Sequence, residues 1–433
     1  MMAREAPAHD GKMRMKLHRS SQLLLVAAVS LLASTFVTAC SQLTETLTVD
    51  YVFVLSAKAA GTNNYGEVDV FEINSESGRM RQIPTSPFPS AGRNPVAEAV
   101  SADYQNLFVV NHDDNTVVQF LIGSDGKLYP FNTVNTPGIF PMAIAANQSN
   151  LFVVDTYEPL PLCSTAAPCP GSISVFPLAA GGSSSSAPCT ATVCIGAPAV
   201  NTAVNGSYWP LTLTGASAND VIVPTGVNVL ASGSYVYVTA YDSSTPSPVG
   251  YVFGFSVASS GVLTPLPGSP FAAGVQPSAI ASNSTSSYVY VTDFAAGDVL
   301  AYSAASGALT PLAGSPFPAG NQPTAVAVDP SYPFVYVTNS LDATVQAYSM
   351  SNGALSSIGD YVTGVDPVAI GIDPSTNHFL YTVNFLGSNV SGFELSQTAG
   401  TLLDSQFSPY TATAQPVAAA AIPHNGTGGG IQP

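Results

Sequence analysis

From Pro277 the chain reads PSAIASNSTSSYVYVTDFAAGDVLAYSAASGALTPLAGSPFPAGNQ, and from Pro323 it continues PTAVAVDPSYPFVYVTNSLDATVQAYSMSNGALSSIGDYVTGVD. These are one unit written twice. Each holds a short apolar strand after a proline, a turn, a β-rich Tyr-Val or Phe-Val strand, a polar loop, a third strand, a glycine turn and a fourth strand. Self-similarity at this period marks a repeat architecture, in which each unit is a small sheet that buries its faces against its neighbours.

Equivalent prolines stand at Pro95, Pro141, Pro224, Pro277, Pro323, Pro367 and Pro416, 44 to 53 residues apart apart from one interval of 83. Second strands also number seven: Tyr51 to Leu55, Leu107 to Val110, Leu151 to Val154, Tyr235 to Val238, Tyr288 to Val291, Phe334 to Val337 and Phe379 to Val383. The N-terminal unit begins at a second strand and has no first strand of its own, whereas Pro416 to Ile422, PVAAAAI, is a first strand without a unit. The two counts match if the ring closes on itself. The expectation is an all-β, seven-bladed β-propeller of four-stranded antiparallel blades, closed by a C-terminal strand that completes the N-terminal blade and covers edges prone to aggregate.

The first strands carry a second pattern. Two positions past the proline stand Ala97, Ala143, Gly226, Ala279, Ala325, Ala369 and Ala418, small residues expected where seven strands converge on the axis. One position further, on the alternate face, stand Ile144, Val227, Ile280, Val326, Ile370 and Ala419. The seventh member is Glu98, a carboxylate where six equivalents are apolar.

Composition agrees with this reading. Only 8% of the 433 residues are charged, 46% are hydrophobic, and glycine and proline together number 71, which suits many short strands and tight turns. The first 39 residues read as a targeting segment: Arg4, Lys12, Arg14, Lys16 and Arg19 precede an apolar run from Leu23 to Val37, too short for a comfortable membrane span. The run ends in Val37-Thr38-Ala39-Cys40, which resembles the lipobox of bacterial lipoproteins. Cleavage before Cys40 and lipidation of its thiol are therefore expected, and Ser41, in place of a retention aspartate, favours the outer membrane. The cleaved chain keeps five basic and 24 acidic residues, a formal charge of −19. Such a surface repels phosphate backbones and anionic headgroups, so no nucleic-acid partner is expected and membrane contact runs through the lipid alone. Residues 40–49 read as a linker, 50–423 as the propeller, with an insertion at about 156–220 in the third blade, and 424–433 as a disordered tail.

Beyond Cys40, the remaining cysteines are Cys163, Cys169, Cys189 and Cys194. Export into an oxidising compartment makes disulfides the expectation. Loops before and after a strand leave a blade at opposite ends, which favours Cys163 with Cys169 and Cys189 with Cys194. No pair has the spacing of a zinc site and no histidine is near.

The strings SYVYVT, FVYVTN and SGALTPL, with SPF at Ser86, Ser269 and Ser315, resemble the YVTN-type repeats of the lactonase-like seven-bladed propeller superfamily over nearly the whole cleaved chain. That superfamily includes 6-phosphogluconolactonases and carboxy-cis,cis-muconate cyclases alongside surface-layer and exported propellers without assigned chemistry. Members resembling the 6-phosphogluconolactonases tend to carry Gly-Pro-Arg-His ahead of a first strand. This chain has no Arg-His pair there; Val96, Met142, Thr225, Ser278, Thr324, Val368 and Val417 follow the prolines, and little basic charge remains for a phosphorylated sugar acid.

Loops leading into first strands and loops between second and third strands share one face, around the central mouth where propeller ligands usually bind. That face collects Lys58, Arg93, His112, Asp113, Asp114, Asp155, Glu158, Asp242, Asp293, Asp342 and Asp366. Asp113, Asp155, Asp293, Asp342 and Asp366 are the mouth residues proposed to meet a ligand. Glu98 needs a partner or a shifted pKa, and Arg93 is the natural partner. If the chain is an enzyme, Glu98 is the base, Arg93 the oxyanion holder and His112 the proton-transfer aid. There is no G-x-S-x-G elbow, no calcium-loop spacing and no dinucleotide or phosphate loop, so no cofactor or metal is expected. The leading reading is a monomeric binding or scaffold module at the envelope, holding an envelope protein, a glycan or a small lactone. The alternative is a lactone hydrolase centred on Arg93, Glu98 and His112.

Overall fold

The computed structural model describes residues 49–423 apart from residues 58–63, 75, 160–168, 183–188, 214–219, 245 and 375–377. The expected signal segment, Cys40, Lys58, Cys163 and the tail from residue 424 lie outside the described residues. Among the described residues there is no α-helix; the chain forms seven antiparallel sheets, each built as four successive strands. The inner strands neighbour one another in ring order and the seventh neighbours the first, which makes a closed seven-bladed β-propeller. Closure is as the repeat implies: Pro416–Ile422 pairs antiparallel with Val49–Ser56, from Tyr51 opposite Ile422 to Leu55 opposite Ala418. Blades are numbered from the one that contains Val49–Ser56, and blades 2 to 7 begin at Pro95, Ile139, Ile222, Pro277, Pro323 and Pro367.

The repeated residues have physical reasons. Tyrosines at the middle of second strands cross to the following blade: Tyr237, Tyr290 and Tyr336 donate to the carbonyls of Gly307, Gly353 and Gly400. Each acceptor is a positive-φ glycine in the turn before the outer strand, a conformation glycine adopts at no steric cost. The serines of the SPF segments, and Ser408 of blade 7, accept the N–H of Val70, Gly254, Ala301 and Gly392, replacing a ladder bond where the outer strand breaks into two pieces. Blade 6 has no such segment and keeps an unbroken outer strand, Ala354–Val362.

Each inner strand carries a bulge beside its proline, as between Pro95 and Ala97 or Pro277 and Ala279. The bulge changes the reason for the small residues two positions on. A Cβ on Gly226 would stand 3.7 Å from the Ala279 Cα of the next blade. The neighbouring inner strand, as well as convergence on the axis, limits their size. Residues one position further face the preceding blade, as Ile280 does in packing with Tyr237 and Val252 of blade 4.

Blade 3 holds the insertion. Its third strand runs from Ser172 to Gly182, longer than the sequence suggests, and its outer edge is Cys189–Ile195 with Trp209–Pro210. Cys169 and Cys194 are disulfide-bonded. The expected pairing also involves the side chains of Cys163 and Cys189, outside the described residues.

Candidate functional site at the propeller mouth

The mouth is the end of the ring where Pro95, Asn111, Thr116 and Asn135 meet across blade 2. The second-strand residue opposite the entry proline lies just beneath the mouth, and in most blades it is a buried Asn or Asp: Asn111, Asp155, Asp293, Asn339 and Asn384. Asp293 shows why. Its carboxylate accepts the N–H groups of Val275 and Gln276 at 2.5 and 3.0 Å and of Ala295 and Ala296 at 3.2 and 3.1 Å, tying together the two loops that form the mouth. Asn339 accepts the Gly320 N–H in the same way. Asp155 is buried against Gly138, and burial raises its pKa to about 7 despite hydrogen bonds from Thr136, the Gly138 amide and Ser174. Asp155 and Asp293, expected to meet a ligand, therefore point into the protein. A carboxylate at this position is worth more as a loop clamp than as an open ligand group.

Arg93 and His112 do come together, in a network of their own. The Arg93 Nε donates to Asp114 at 2.6 Å, its backbone N–H to the other Asp114 oxygen at 2.7 Å, and its Nη2 to the Asp113 carbonyl at 3.2 Å. Asp113 also receives the Asn94 amide at 3.1 Å, and its Oδ1 lies 2.7 Å from His112 Nδ1. Burial works against the Asp113 charge, but the hydrogen bonds and the nearby cationic groups hold its carboxyl below the usual range. Blade 6 repeats the clasp without charge on one side: Asn321 donates its backbone and side-chain N–H groups to Asp342 at 2.6 and 2.8 Å. Arg93 thus occupies a slot that a neutral side chain fills elsewhere in the ring, and Asp342 is held in the same manner as Asp114. Asp366, by contrast, is half-buried at a positive φ of 61°, and burial raises its pKa.

Glu98 does not join this network, which corrects the expected Arg93 partnership. It stands opposite Val109, on the side of blade 2 that packs against Ala418 and Ala420 of the closing strand. The residue keeps some exposed surface, while both carboxylate oxygens are covered and form no hydrogen bond of normal geometry. Burial raises its pKa well above the usual value, only partly opposed by the Ala420 backbone amide.

The sequence reading missed an aromatic cluster. The His112 ring stacks on Phe140 with centroids 4.7 Å apart and planes 7° from parallel, and Tyr157 meets Phe140 edge-on at 6.1 Å. Phe140 precedes Pro141 at a φ of 57°. Asn94, Gln322, Asp366 and Gln415 hold the same left-handed conformation before their prolines, so a bulky aromatic there departs from its repeats. The Phe140 N–H donates to Asn115 at 2.7 Å and its carbonyl accepts from Thr156 at 2.8 Å, which fix the strained conformation. One signal was visible in the sequence: Phe140 is the aromatic member of a column otherwise filled by Asn94, Val223, Gln276, Gln322, Asp366 and Gln415.

The ring, its four-stranded blades and its closing strand define a seven-bladed β-propeller. A family model described as "Lactonase, 7-bladed beta-propeller" matches residues 305–419, so this part of the chain is similar to that family. Solved structures share the fold at low identity. A candidate 6-phosphogluconolactonase from Bacteroides fragilis is 20% identical, covering 88% of this chain and 99% of its own, with a TM-score of 0.66. A candidate 6-phosphogluconolactonase from Bacteroides uniformis is 17% identical over 87% and 100%, with a TM-score of 0.63. The periplasmic gluconolactonase of Pseudomonas aeruginosa is 16% identical over 87% and 99%, with a TM-score of 0.61. No curated protein matches by sequence.

Proposed function

We propose that this chain is an exported binding propeller, lipid-anchored at Cys40 in the bacterial envelope, with the outer membrane favoured, and that its mouth at blades 2 and 3 takes a glycan or other neutral sugar. The observation that carries this reading is the His112, Phe140 and Tyr157 cluster beside the polar network of Arg93, Asn94, Asp113 and Asp114. Aromatic rings offer a flat apolar surface to the C–H face of a sugar, and neighbouring amides and carboxylates take its hydroxyls. The strained φ at Phe140 is a cost that packing alone does not require, since the positive-φ residues at this place in other blades, Asn94, Gln322, Asp366 and Gln415, are polar. Val49–Ser56 runs toward the mouth, so a tether nine residues ahead of Val49 would join the chain at the end of this strand remote from it. The test is calorimetric titration of neutral mono- and oligosaccharides into the chain from Ser41 onward. Binding that Phe140→Asn weakens by about tenfold or more supports the reading; binding that survives the substitution places the ligand elsewhere and refutes it.

A second reading has one specific observation behind it. Glu98 is a covered carboxylate whose oxygens form no hydrogen bond of normal geometry, and burial raises its pKa well above the usual carboxylate value, as at many catalytic acids. On that basis the chain would hydrolyse a lactone, as the printed names of its structural neighbours say of those proteins. Against it, Arg93 is engaged with Asp114 instead of standing beside Glu98 to hold an oxyanion.

A further inference from the structure

Among the described residues, the five most exposed aliphatic side chains belong to two neighbouring blades. Leu341, Val362, Val365, Leu386 and Leu403 are 66%, 77%, 58%, 65% and 68% exposed, and all belong to blades 6 and 7. Leu341, Val365 and Leu386 come from adjoining loops, joined by the Thr363 N–H to the Ala343 carbonyl and the Gly387 N–H to the Val365 carbonyl, while Val362 ends the outer strand of blade 6 and Leu403 lies in that of blade 7. Scattered exposed aliphatics need no explanation, but a cluster of them on a folded surface marks a contact. Val362 and Leu403 line a groove of about 480 Å³ in the outer seam between the two blades, together with Asp360, Tyr361, Leu402 and Asp404.

Two features say what fits there. The first is charge. Asp360 and Asp404 stand on opposite walls, Asp342 lies near Leu341 in sequence, and every Lys and Arg of the chain lies at or before Lys127. Blades 3 to 7 therefore contain no lysine or arginine, and no ion pair neutralises Asp360 or Asp404 among the described residues. The cation that reaches blade 7, Arg79, lies over the Phe407 ring at 4.7 Å. The second feature is the edge. Blades 1, 4, 5 and 7 split their outer strand at a serine-proline segment, whereas Ala354–Val362 runs through, with a single bulge at Ile358. Its Asp360–Val362 portion borders the groove with main-chain groups available to an added strand.

We propose that the outer seam of blades 6 and 7 docks an extended segment of a partner protein that carries aliphatic anchors flanked by lysine or arginine. The anchors cover Val362 and Leu403, and the flanking cations meet Asp360 and Asp404. A second copy of this chain is a poor occupant, because its own surface is strongly acidic, and anionic lipid is repelled for the same reason. The site is separate from the sugar-binding mouth at blades 2 and 3, and neither proposal depends on the other.

The experiment measures binding of a labelled peptide of about twelve residues, alternating valine or leucine with lysine, to the chain from Ser41 onward by fluorescence anisotropy, beside the same peptide with glutamate for lysine. The account expects the lysine peptide to bind about tenfold or more tightly than the glutamate peptide. Because a negative protein attracts any cation, the deciding variant is Val362→Asp with Leu403→Asp, both at exposed positions that folding tolerates. It should weaken the lysine peptide about tenfold although it adds two negative charges. Asp360→Asn with Asp404→Asn should weaken binding a few-fold and flatten its salt dependence. Equal affinity for both peptides, no binding of the lysine peptide below about 1 mM, or binding untouched by the paired aspartates at 362 and 403 would overturn the proposal. Concentration-dependent self-association, or uptake on zwitterionic vesicles, abolished by the same variant would assign the seam to a second copy or to lipid instead.

Discussion

The mouth over blades 2 and 3 and the rim of blades 6 and 7 are built from the same repeat and have opposite surfaces. At blades 2 and 3 Arg93 lies against Asp114 and His112 beside Asp113, and the column of residues before the prolines carries Phe140, stacked on His112. At blades 6 and 7 acidic side chains have no cations to meet, and aliphatic residues stand in the loops. The strands beneath are nearly interchangeable, with Asn111, Asp155, Asn339 and Asn384 in one buried slot. The ring fixes where loops sit and leaves their chemistry free, so a function is located by finding where one blade departs from the others.

The largest effect expected from this contrast is on pH dependence. Asp155 beneath blade 3 has a pKa of about 7, whereas Asn384 in the equivalent slot of blade 7 does not titrate. A raised carboxyl pKa means the folded state holds a proton that the unfolded state releases. Stability is then greatest at acid pH, falls as pH rises from about 4 to about 7, and levels off above. A shift of roughly three units corresponds to about 4 kcal/mol at most. Chemical denaturation between pH 4 and 8 should show this fall, to which the buried Glu98 also contributes, and Asp155→Asn should make it measurably shallower; an unchanged slope in the variant would show that Asp155 is ionised in the folded protein.

Phe140→Asn sharpens the comparison from the other side. It gives blade 3 the residue that blade 2 carries as Asn94, which adopts positive φ readily. Sugar binding should drop about tenfold or more, while thermal stability stays level or rises by about 0.5–1 kcal/mol. A clear loss of stability would mean the aromatic stack is there for packing. Tyr336→Phe, in blade 6, removes the hydroxyl that reaches Gly400 and should cost about 1 kcal/mol by denaturant titration. Phe108 and Phe152 occupy the equivalent place in blades 2 and 3 without a hydroxyl, so a negligible cost would say that the bond adds nothing to the packing. The smallest effect belongs to Arg93→Ala, an exposed pair whose loss should barely move the denaturation midpoint and should fade with salt. A larger loss would mean that Arg93 holds more than Asp114.

Much of this was readable from the residues. The prolines and the Tyr-Val strings placed every inner and second strand, and PVAAAAI placed the closing strand, because a missing first strand and a surplus one have a single solution in a ring. The mouth was harder. Asp155 and Asp293 sit opposite the entry prolines, where acidic residues look like loop charges, yet Asn111, Asn339 and Asn384 in the same column mark it as a capping slot. Arg93 and Glu98 failed as partners because five residues of extended chain span about 16 Å, and the bulge between Pro95 and Ala97 turns the strand between them. The stack of His112 on Phe140 joins two blades through positions with no periodic signal of their own.

The central claim is that the mouth binds and does not turn over its ligand. The most direct measurement is hydrolysis of neutral and phosphorylated sugar lactones by the folded chain from Ser41 onward, with Glu98→Gln measured in parallel. The account predicts no turnover above the spontaneous rate for either protein, with sugar binding intact in both. Turnover by the parent chain that vanishes in a folded Glu98→Gln variant would contradict it and make the buried carboxylate between blades 1 and 2 the centre of a lactonase.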